Sequence, residues 1–164
     1  MPDYTAGIIT VSDKGSRGER ADTSSAEIRK VLENVSVSVV CYDIVPDERG
    51  MIAEKIIQYA DDRKLDLILT TGGTGVSPRD VTPEATLDVI DREIPGIGEY
   101  MRAKSAEITP HAIISRAVAG VRKSSLIINL PGSPRGAREN LSFVLPALKH
   151  AVEKIKGDPS ECAS

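Results

Sequence analysis

The stretch Leu65-Asp-Leu-Ile-Leu-Thr-Thr-Gly-Gly-Thr-Gly75 decides the fold, because a short and almost continuous apolar run passes directly into a glycine-rich turn. Uninterrupted apolar character is typical of a strand in a parallel sheet that is covered on both faces. Four runs rich in β-branched residues share this character: Ala6 to Val11, Val37 to Val45, Leu65 to Thr70 and Leu126 to Leu130. The sequence therefore predicts a buried parallel sheet.

Helical patterns lie between the predicted strands. In residues 24–35 the apolar side chains recur at i, i+3, i+4 and i+7, the spacing of one helix face. Similar patterns cover 48–61, 82–90, 97–107 and 133–155, and two of them open with a capping residue followed by proline, at Thr82-Pro83 and Ser133-Pro134. This alternation predicts an α/β fold, a three-layer sandwich with a mostly parallel sheet.

Length and composition restrict the class of protein. With 164 residues, 40% of them hydrophobic, the chain suits one domain, which we expect over residues 1–156 with a flexible tail at 157–164. A net charge of −3 lacks the basic excess of nucleic-acid-binding proteins, and 3% aromatic residues argue against a base-stacking surface. Without a signal-like N-terminus or a long apolar run, we expect a cytoplasmic protein with no membrane or nucleic-acid partner.

The residues that follow each predicted strand are the candidates for ligand binding, because open α/β sheets bind ligands beyond the carboxyl ends of their strands. The first two strands end in Thr10-Val-Ser-Asp13 and Val45-Pro-Asp-Glu48, and the other two pass into residues 70–75 and 129–134. The glycines of 70–75 allow backbone N–H groups to turn toward an anion. The alternative is a tight strand-to-helix turn without a ligand.

The second loop and two acidic residues extend this picture. Pro131-Gly-Ser-Pro134 meets a predicted helix N-terminus, which favours phosphate, although an ordinary N-cap is the alternative. Asp47 and Asp80 would suit Mg²⁺ beside bound phosphates, unless Asp47 caps a helix and Asp80 pairs with Arg79. Five basic residues could neutralise phosphates or simply be solvated surface charges: Arg116, Arg122, Lys123, Arg135 and Arg138.

Two long blocks, 66–85 and 115–134, resemble the signature of the molybdopterin adenylyltransferases, a family that includes the bacterial enzyme and the G domains of gephyrin and its plant counterpart. The resemblance covers about residues 5–156. It implies a molybdopterin-binding-domain-like fold and the Mg²⁺-dependent transfer of AMP from ATP to the terminal phosphate of molybdopterin, with release of pyrophosphate. It also implies a homotrimer and hand-over of the product to a molybdenum-insertion enzyme.

The resemblance assigns roles to individual residues. Asp47 and Asp80 match the two functional aspartates linked to Mg²⁺ and nucleotide chemistry. The positions that match nucleotide or phosphate binding are Gly72, Gly73, Thr74, Gly75, Pro131, Gly132 and Ser133. The positions that match molybdopterin binding are Ser12, Ser115 and Asn129.

Two alternative functions stay open at this point. In length and in residues 115–120 the chain also resembles the sister group of small molybdopterin-biosynthesis B proteins, some of which look inactive. The first alternative is therefore a non-catalytic protein of the same fold that binds molybdopterin or scaffolds a pathway partner. The second is a nucleotide pyrophosphatase, as in the related domain of competence-damage-inducible proteins. The intact Asp-Val-Thr-Pro-Glu-Ala stretch at 80–85 favours an active enzyme.

Overall fold

The computed structural model describes residues 3–162 and contains a six-stranded sheet with helices on both faces. The strands are β1 (Tyr4–Val11), β2 (Val37–Val45), β3 (Leu67–Thr71), β4 (Arg92–Glu93), β5 (Ala119–Arg122) and β6 (Ser125–Leu130). The helices are α1 (Asp13–Ser16), α2 (Ser24–Leu32), α3 (Arg49–Ile57), α4 (Thr82–Leu87), α5 (Pro95–Ala106) and α6 (Pro134–Ile155).

The strand order is β2-β1-β3-β6-β5-β4, and the first four strands of this order are parallel. These four are the strands that the apolar runs predict, with small shifts at their ends. β5 and β4 complete the sheet as an antiparallel edge that the sequence pattern did not predict. The prediction of a mostly parallel sheet is confirmed, and the parallel strands bring four carboxyl ends to one edge.

Each central strand contributes to two separate hydrophobic cores. Ile8 packs with α2, α5 and α6 on one face, whereas its neighbour Ile9 packs with α3 and α4 on the other. Ile127 and Ile128 of β6 divide between the same two cores, and all four side chains are fully buried. Because successive residues of a strand point to opposite faces, a sheet covered on both sides needs a continuous apolar run. The three-layer prediction is thereby confirmed.

Several helix boundaries differ from the predictions. The helix predicted over 48–61 ends as α3 at Ile57 and continues as one π-helical turn, Gln58–Asp62. Thr82 does not cap α4; its hydroxyl instead donates a hydrogen bond to the carbonyl oxygen of Gly72 at 2.9 Å, and Val81 occupies the cap position. The Thr-Pro pattern of a helix start is present in the sequence, but the Thr82 hydroxyl bonds Gly72 instead of a helix N–H.

Of the tail expected at 157–164, residues 157–162 form no helix or strand, and residues 163–164 lie outside the described range, as do residues 1–2 of the expected domain. Within residues 3–162, no helix combines the length and apolar character that a membrane crossing requires.

Candidate active site

A cavity of about 610 Å³ opens where the carboxyl ends of β1, β2, β3 and β6 meet. It is the place that the strand-end rule predicts for a ligand. Seven of the predicted site residues line it: Ser12, Asp47, Gly72, Gly73, Asp80, Gly132 and Ser133. The acidic candidates and parts of both loops are therefore brought together by the fold.

A second cavity of about 270 Å³ adjoins the first. The predicted residues that line it are Thr74, Gly75, Ser115, Pro131 and Ser133. Ser133 borders both cavities, and the glycine-rich loop contributes Gly73 to one and Thr74 to the other. The two loops thus form a common wall between the two cavities.

Close backbone contacts hold the two loops together. The N–H of Gly72 donates to the carbonyl oxygen of Leu130 at 3.1 Å, and the Thr71 hydroxyl donates to that of Pro131 at 2.7 Å. A Cβ on Gly132 would lie 3.2 Å from the Cα of Gly72. Gly72 has a φ of +103°, and a Cβ there would lie 2.3 Å from the carbonyl oxygen of Val11. Glycine is therefore required where the loop leaves β3.

Asp47 is held by a reciprocal pair of hydrogen bonds with Asp13. The carboxylate of Asp47 accepts the N–H of Asp13 at 2.9 Å, and the carboxylate of Asp13 accepts the N–H of Asp47 at 3.0 Å. The alternative that Asp47 caps a helix is wrong, since Glu48 occupies that position and makes no side-chain cap. Burial raises the pKa of Asp47, and the nearby charges of Asp13 and Asp80 raise it further.

Asp80 lies at the end of the glycine-rich loop. Its Oδ2 accepts the N–H of Ser77 at 3.0 Å, and a Cβ on Gly75 would lie 2.9 Å from the same oxygen. The alternative that Asp80 pairs with Arg79 is wrong: the Arg79 guanidinium bonds the carboxylates of Asp13 and Glu48, each at a closest distance of 2.9 Å. Asp80 therefore faces the larger cavity without that neighbouring arginine as a partner.

The positions of Asp47 and Asp80 suit a metal ion that is also coordinated by a phosphate group of a ligand. Asp47 and Asp80 come from separate loops and line one cavity, and the charge of Asp80 raises the pKa of Asp47. Across residues 3–162, no group of three or more His, Cys, Asp or Glu side chains could hold a metal ion by itself. Mg²⁺ typically uses one or two carboxylates together with phosphate oxygens and waters. The donor set therefore suits Mg²⁺ carried by a phosphate ligand.

The hydroxyls of Ser12 and Ser133 both cap helices. Ser12 Oγ accepts the N–H of Gly15 at 2.9 Å at the start of α1, and Ser133 Oγ accepts that of Gly136 at 3.0 Å at the start of α6. The capping alternative for Ser133 is thus observed. Each hydroxyl still carries one proton that it can donate to a ligand, since accepting a bond uses only a lone pair.

Asn129 occupies a different position from the other predicted residues. It is fully buried, and its amide nitrogen donates to the hydroxyls of Thr70 and Thr86, both at 2.9 Å. Its Oδ1 accepts the N–H of Val118 at 3.2 Å. Asn129 therefore joins β3, α4 and the segment before β5 beneath the cavities, and its part in molybdopterin binding stays a prediction.

The five basic residues considered for phosphate binding are all paired with carboxylates. The pairs are Arg116 with Glu84, Arg122 and Lys123 with Asp61, Arg135 with Glu139, and Arg138 with Glu27. The alternative of solvated surface charges fits the three exposed residues, Lys123, Arg135 and Arg138. Arg122 is mostly buried and also bonds the carbonyl oxygen of Val89. Arg116 differs, because its guanidinium also bonds two backbone carbonyl groups beside the cavities.

Asp22 is a cavity residue that the sequence analysis missed. It lines the larger cavity and accepts hydrogen bonds from Thr10 Oγ1 at 2.6 Å, from the Ser25 N–H at 3.1 Å and from the Tyr42 hydroxyl. Burial favours a higher pKa for Asp22, but these hydrogen bonds outweigh it and the pKa is lowered. An acidic residue three positions before Ser25, at the start of a helix, was the available signal.

Comparison with known proteins gives a consistent result. Residues 7–150 match the family described as a probable molybdopterin binding domain. A molybdopterin adenylyltransferase of Helicobacter pylori is 44% identical over 93% of this chain and 88% of its own length. That of Escherichia coli is 41% identical over 89% and 76%, respectively. The crystal structure of the molybdopterin biosynthesis enzyme MoaB of Thermus thermophilus superposes with a TM-score of 0.90 at 54% identity, covering 96% of this chain and 99% of that one.

Proposed function

We propose that this chain, which belongs to the family of probable molybdopterin-binding domains, is a molybdopterin adenylyltransferase of molybdenum cofactor biosynthesis. It would transfer AMP from ATP to the terminal phosphate of molybdopterin and release pyrophosphate. The observation that carries the proposal is the pair of adjoining cavities separated by two loops, with Asp47 and Asp80 in the larger one. A transferase with two phosphate-bearing substrates needs such a double site.

We assign each substrate to a cavity from the size and the lining residues of that cavity. ATP is assigned to the larger cavity, whose volume of about 610 Å³ falls within the usual range of ligand pockets. Molybdopterin is assigned to the smaller cavity, beside Ser115 and Thr74. The reacting phosphates would then meet at the wall formed by residues 72–75 and 131–133, where glycine N–H groups and hydroxyls are concentrated. Of the other two residues predicted for molybdopterin, Ser12 lines the larger cavity and would contact ATP in this arrangement, and the buried Asn129 would support the site from beneath.

The chemistry requires little proton transfer from the protein. An oxygen of the molybdopterin terminal phosphate attacks the α-phosphorus of ATP, and the bond from that phosphorus to the bridging oxygen of the β-phosphate breaks. The attacking oxygen is already anionic, so no strong general base is needed. The protein contributes by aligning the two phosphates and by stabilising charge in the transition state. Mg²⁺ held by Asp47 and Asp80 would supply the positive charge that neutralises the triphosphate.

Assembly, location and partners follow from the same proposal. We expect a homotrimer, and the exposed isoleucines of the segment before β5 support a covered surface: Ile108, Ile113 and Ile114 are 48%, 71% and 52% exposed. Sedimentation should then give three times the 17.6 kDa of the chain, whereas a monomer would contradict the trimer. ATP as a substrate fits a cytoplasmic reaction, with the product passed to a molybdenum-insertion enzyme.

The proposal is tested by product detection. The purified protein is incubated with molybdopterin, ATP and Mg²⁺, and adenylyl-molybdopterin is measured by mass spectrometry. The Helicobacter pylori relative serves as positive control and Asp80→Asn as negative control. Product from the wild type and its loss in the variant are expected. No product under conditions in which the relative is active would contradict the transferase function.

A further inference from the structure

We propose that Arg116 is a positioning residue that, together with Glu84, fixes the loop carrying Asp80 in its working position. The inference deepens the proposed function and rests on it for the catalytic consequence. From the sequence, Arg116 was a candidate for neutralising phosphate charge. The structure instead assigns its guanidinium to the protein main chain on both sides of the loop 75–80.

Three hydrogen bonds join Arg116 to the main chain of the loop and its approach. Its backbone N–H donates to the carbonyl oxygen of Thr74 at 2.8 Å. Its Nε donates to the carbonyl oxygen of Gly75 at 2.7 Å, and its Nη2 to that of Asp80 at 2.8 Å. One side chain therefore holds the first and the last residue of the loop at a fixed separation.

The two ends of the loop are held by Arg116, whereas its interior has other contacts. Its residues between Gly75 and Asp80 are exposed, and the bonds that shape it are local: the Asp80 N–H donates to the Ser77 carbonyl oxygen at 2.9 Å, and the Ser77 N–H donates to the Asp80 carboxylate at 3.0 Å. These local bonds curl the loop, and the Arg79 side chain ties its exposed interior to Asp13 and Glu48. Arg116 supplies an attachment at each end.

Glu84 orients the guanidinium. Its Oε1 accepts Nη1 of Arg116, and both side chains are about one-third exposed. Burial favours a higher pKa for Glu84, but the bond and the charge of Arg116 outweigh it, so the pKa is lowered and Glu84 stays ionised. Glu84 thereby fixes Nη1 and leaves Nε and Nη2 directed at the two carbonyl groups.

The geometry requires arginine rather than any cation. A guanidinium is a planar fork with donors on three nitrogens, so it can reach three acceptors at once. A lysine ammonium is a compact charge on a flexible stem and cannot span the Gly75 and Asp80 carbonyl groups together with Glu84. Ser115, the preceding residue, lines the smaller cavity, so the 115–116 pair connects that cavity to the loop of the larger one.

Arg122 provides a matched control. It bonds the carboxylate of Asp61 at 2.7 and 2.9 Å and the carbonyl oxygen of Val89 at 2.7 Å, so like Arg116 it joins a carboxylate to the main chain, although through one carbonyl group rather than two. Arg122 lines neither of the two cavities. A lysine at either position removes a guanidinium fork that joins a carboxylate to the main chain, beside the cavities at Arg116 and away from them at Arg122.

The experiment compares Arg116→Lys, Glu84→Gln and Arg122→Lys in two measurements. Hydrogen–deuterium exchange of the ligand-free protein reports on amides of residues 75–81, and steady-state kinetics separates kcat from KM. In Arg116→Lys we expect exchange in this segment to rise by about tenfold or more. We expect kcat to fall by about 10–100-fold because the carboxylate of Asp80 is misplaced, with KM for ATP changed by less than roughly threefold. Glu84→Gln should show the same pattern more weakly.

The results separate the inference from the proposed function. Arg122→Lys should leave both the exchange of 75–81 and kcat near wild-type values. Unchanged exchange of this segment in Arg116→Lys, or an equal fall of kcat in Arg122→Lys, would overturn the positioning role. A wild type without transferase activity would instead overturn the proposed function, while the exchange measurement would still decide whether Arg116 fixes the loop.

Discussion

Asp13 and Asp47 hold each other in place through their main chains: the backbone N–H of each donates to the carboxylate of the other, at 3.0 and 2.9 Å. Asp13 follows β1 and Asp47 follows β2, so the pair also ties together two strand ends. Arg79 completes the arrangement by bonding the Asp13 carboxylate. The orientation of Asp47 is thus fixed before any ligand arrives, which is the condition for electrostatic catalysis without reorganisation.

This arrangement predicts how Asp47 titrates. Burial and the charges of Asp13 and Asp80 raise its pKa above the usual 3.8, whereas Arg79 opposes the shift. Arg79→Gln should therefore raise the pKa of Asp47 further. Since the proposed Mg²⁺ binding needs the ionised carboxylate, activity should be lost as pH falls through a value above 3.8, and at a higher pH in Arg79→Gln. Carbon-13 NMR of the aspartate carboxyl groups in the ligand-free protein measures the pKa; a wild-type value at or below 3.8 would contradict the account.

A second prediction concerns the space beside Asp80. In Gly75→Ala the new Cβ would lie 2.9 Å from Oδ2 of Asp80, so the carboxylate must move. We expect kcat to fall by about 10–100-fold, because small displacements of catalytic groups have effects of this size. The free energy of unfolding should change by no more than roughly 1 kcal/mol, since a flexible side chain can give way.

Gly96 is the matched control for this substitution. A Cβ there meets no atom within 4 Å, and the residue lies in the first turn of α5. Gly96→Ala should leave kcat unchanged and raise stability by up to about 1 kcal/mol, the helix propensity difference. Equal kcat values for Gly75→Ala and the wild type would show that the position of the Asp80 carboxylate does not matter.

A third prediction tests whether the buried Asn129 stabilises the fold beneath the cavities. Asn129→Ala leaves the partly buried N–H of Val118 without its side-chain acceptor, which should lower the free energy of unfolding by about 1–3 kcal/mol in urea denaturation. If Asn129 takes its predicted part in molybdopterin binding, the variant should also have a higher KM for molybdopterin, because the segments that Asn129 joins beneath the cavities would shift. Asn34→Ala is the control: Asn34 is exposed, bonds only locally to the Lys30 carbonyl oxygen, and should change stability by less than roughly 0.5 kcal/mol. Equal stability losses in the two variants would contradict the supporting role.

The buried part of the fold was predictable because its physical signal is local. Ile8 and Ile9 must both be apolar when opposite faces of β1 are covered, and this makes the strand visible as a continuous run. The strand β4 gave no such signal: Arg92–Glu93 is a pair of exposed charged residues whose strand conformation depends on pairing with β5. These two residues form a strand because β5 pairs with them, and not because of a pattern in their own sequence.

The sequence was sufficient to predict which residues gather at the sheet edge, but not which of them bond to each other. The strand-end rule placed Asp47, Asp80 and both loops correctly around one region. It could not predict that Arg79 would bond Asp13 and Glu48 rather than the adjacent Asp80, because that choice depends on how three distant segments approach in space. Arg116 was misjudged for the same reason, since its acceptors are backbone carbonyl groups of another loop.

The most direct test of the central claim is the fate of the α-phosphate. ATP labelled at the α-phosphorus is mixed with Mg²⁺, molybdopterin and an excess of the protein, and the label is followed through a single turnover. The account predicts that the label moves into adenylyl-molybdopterin, in equal amount to the pyrophosphate released, and that little free AMP appears. Label recovered as free AMP, or release of pyrophosphate without molybdopterin, would contradict the account and indicate a nucleotide pyrophosphatase.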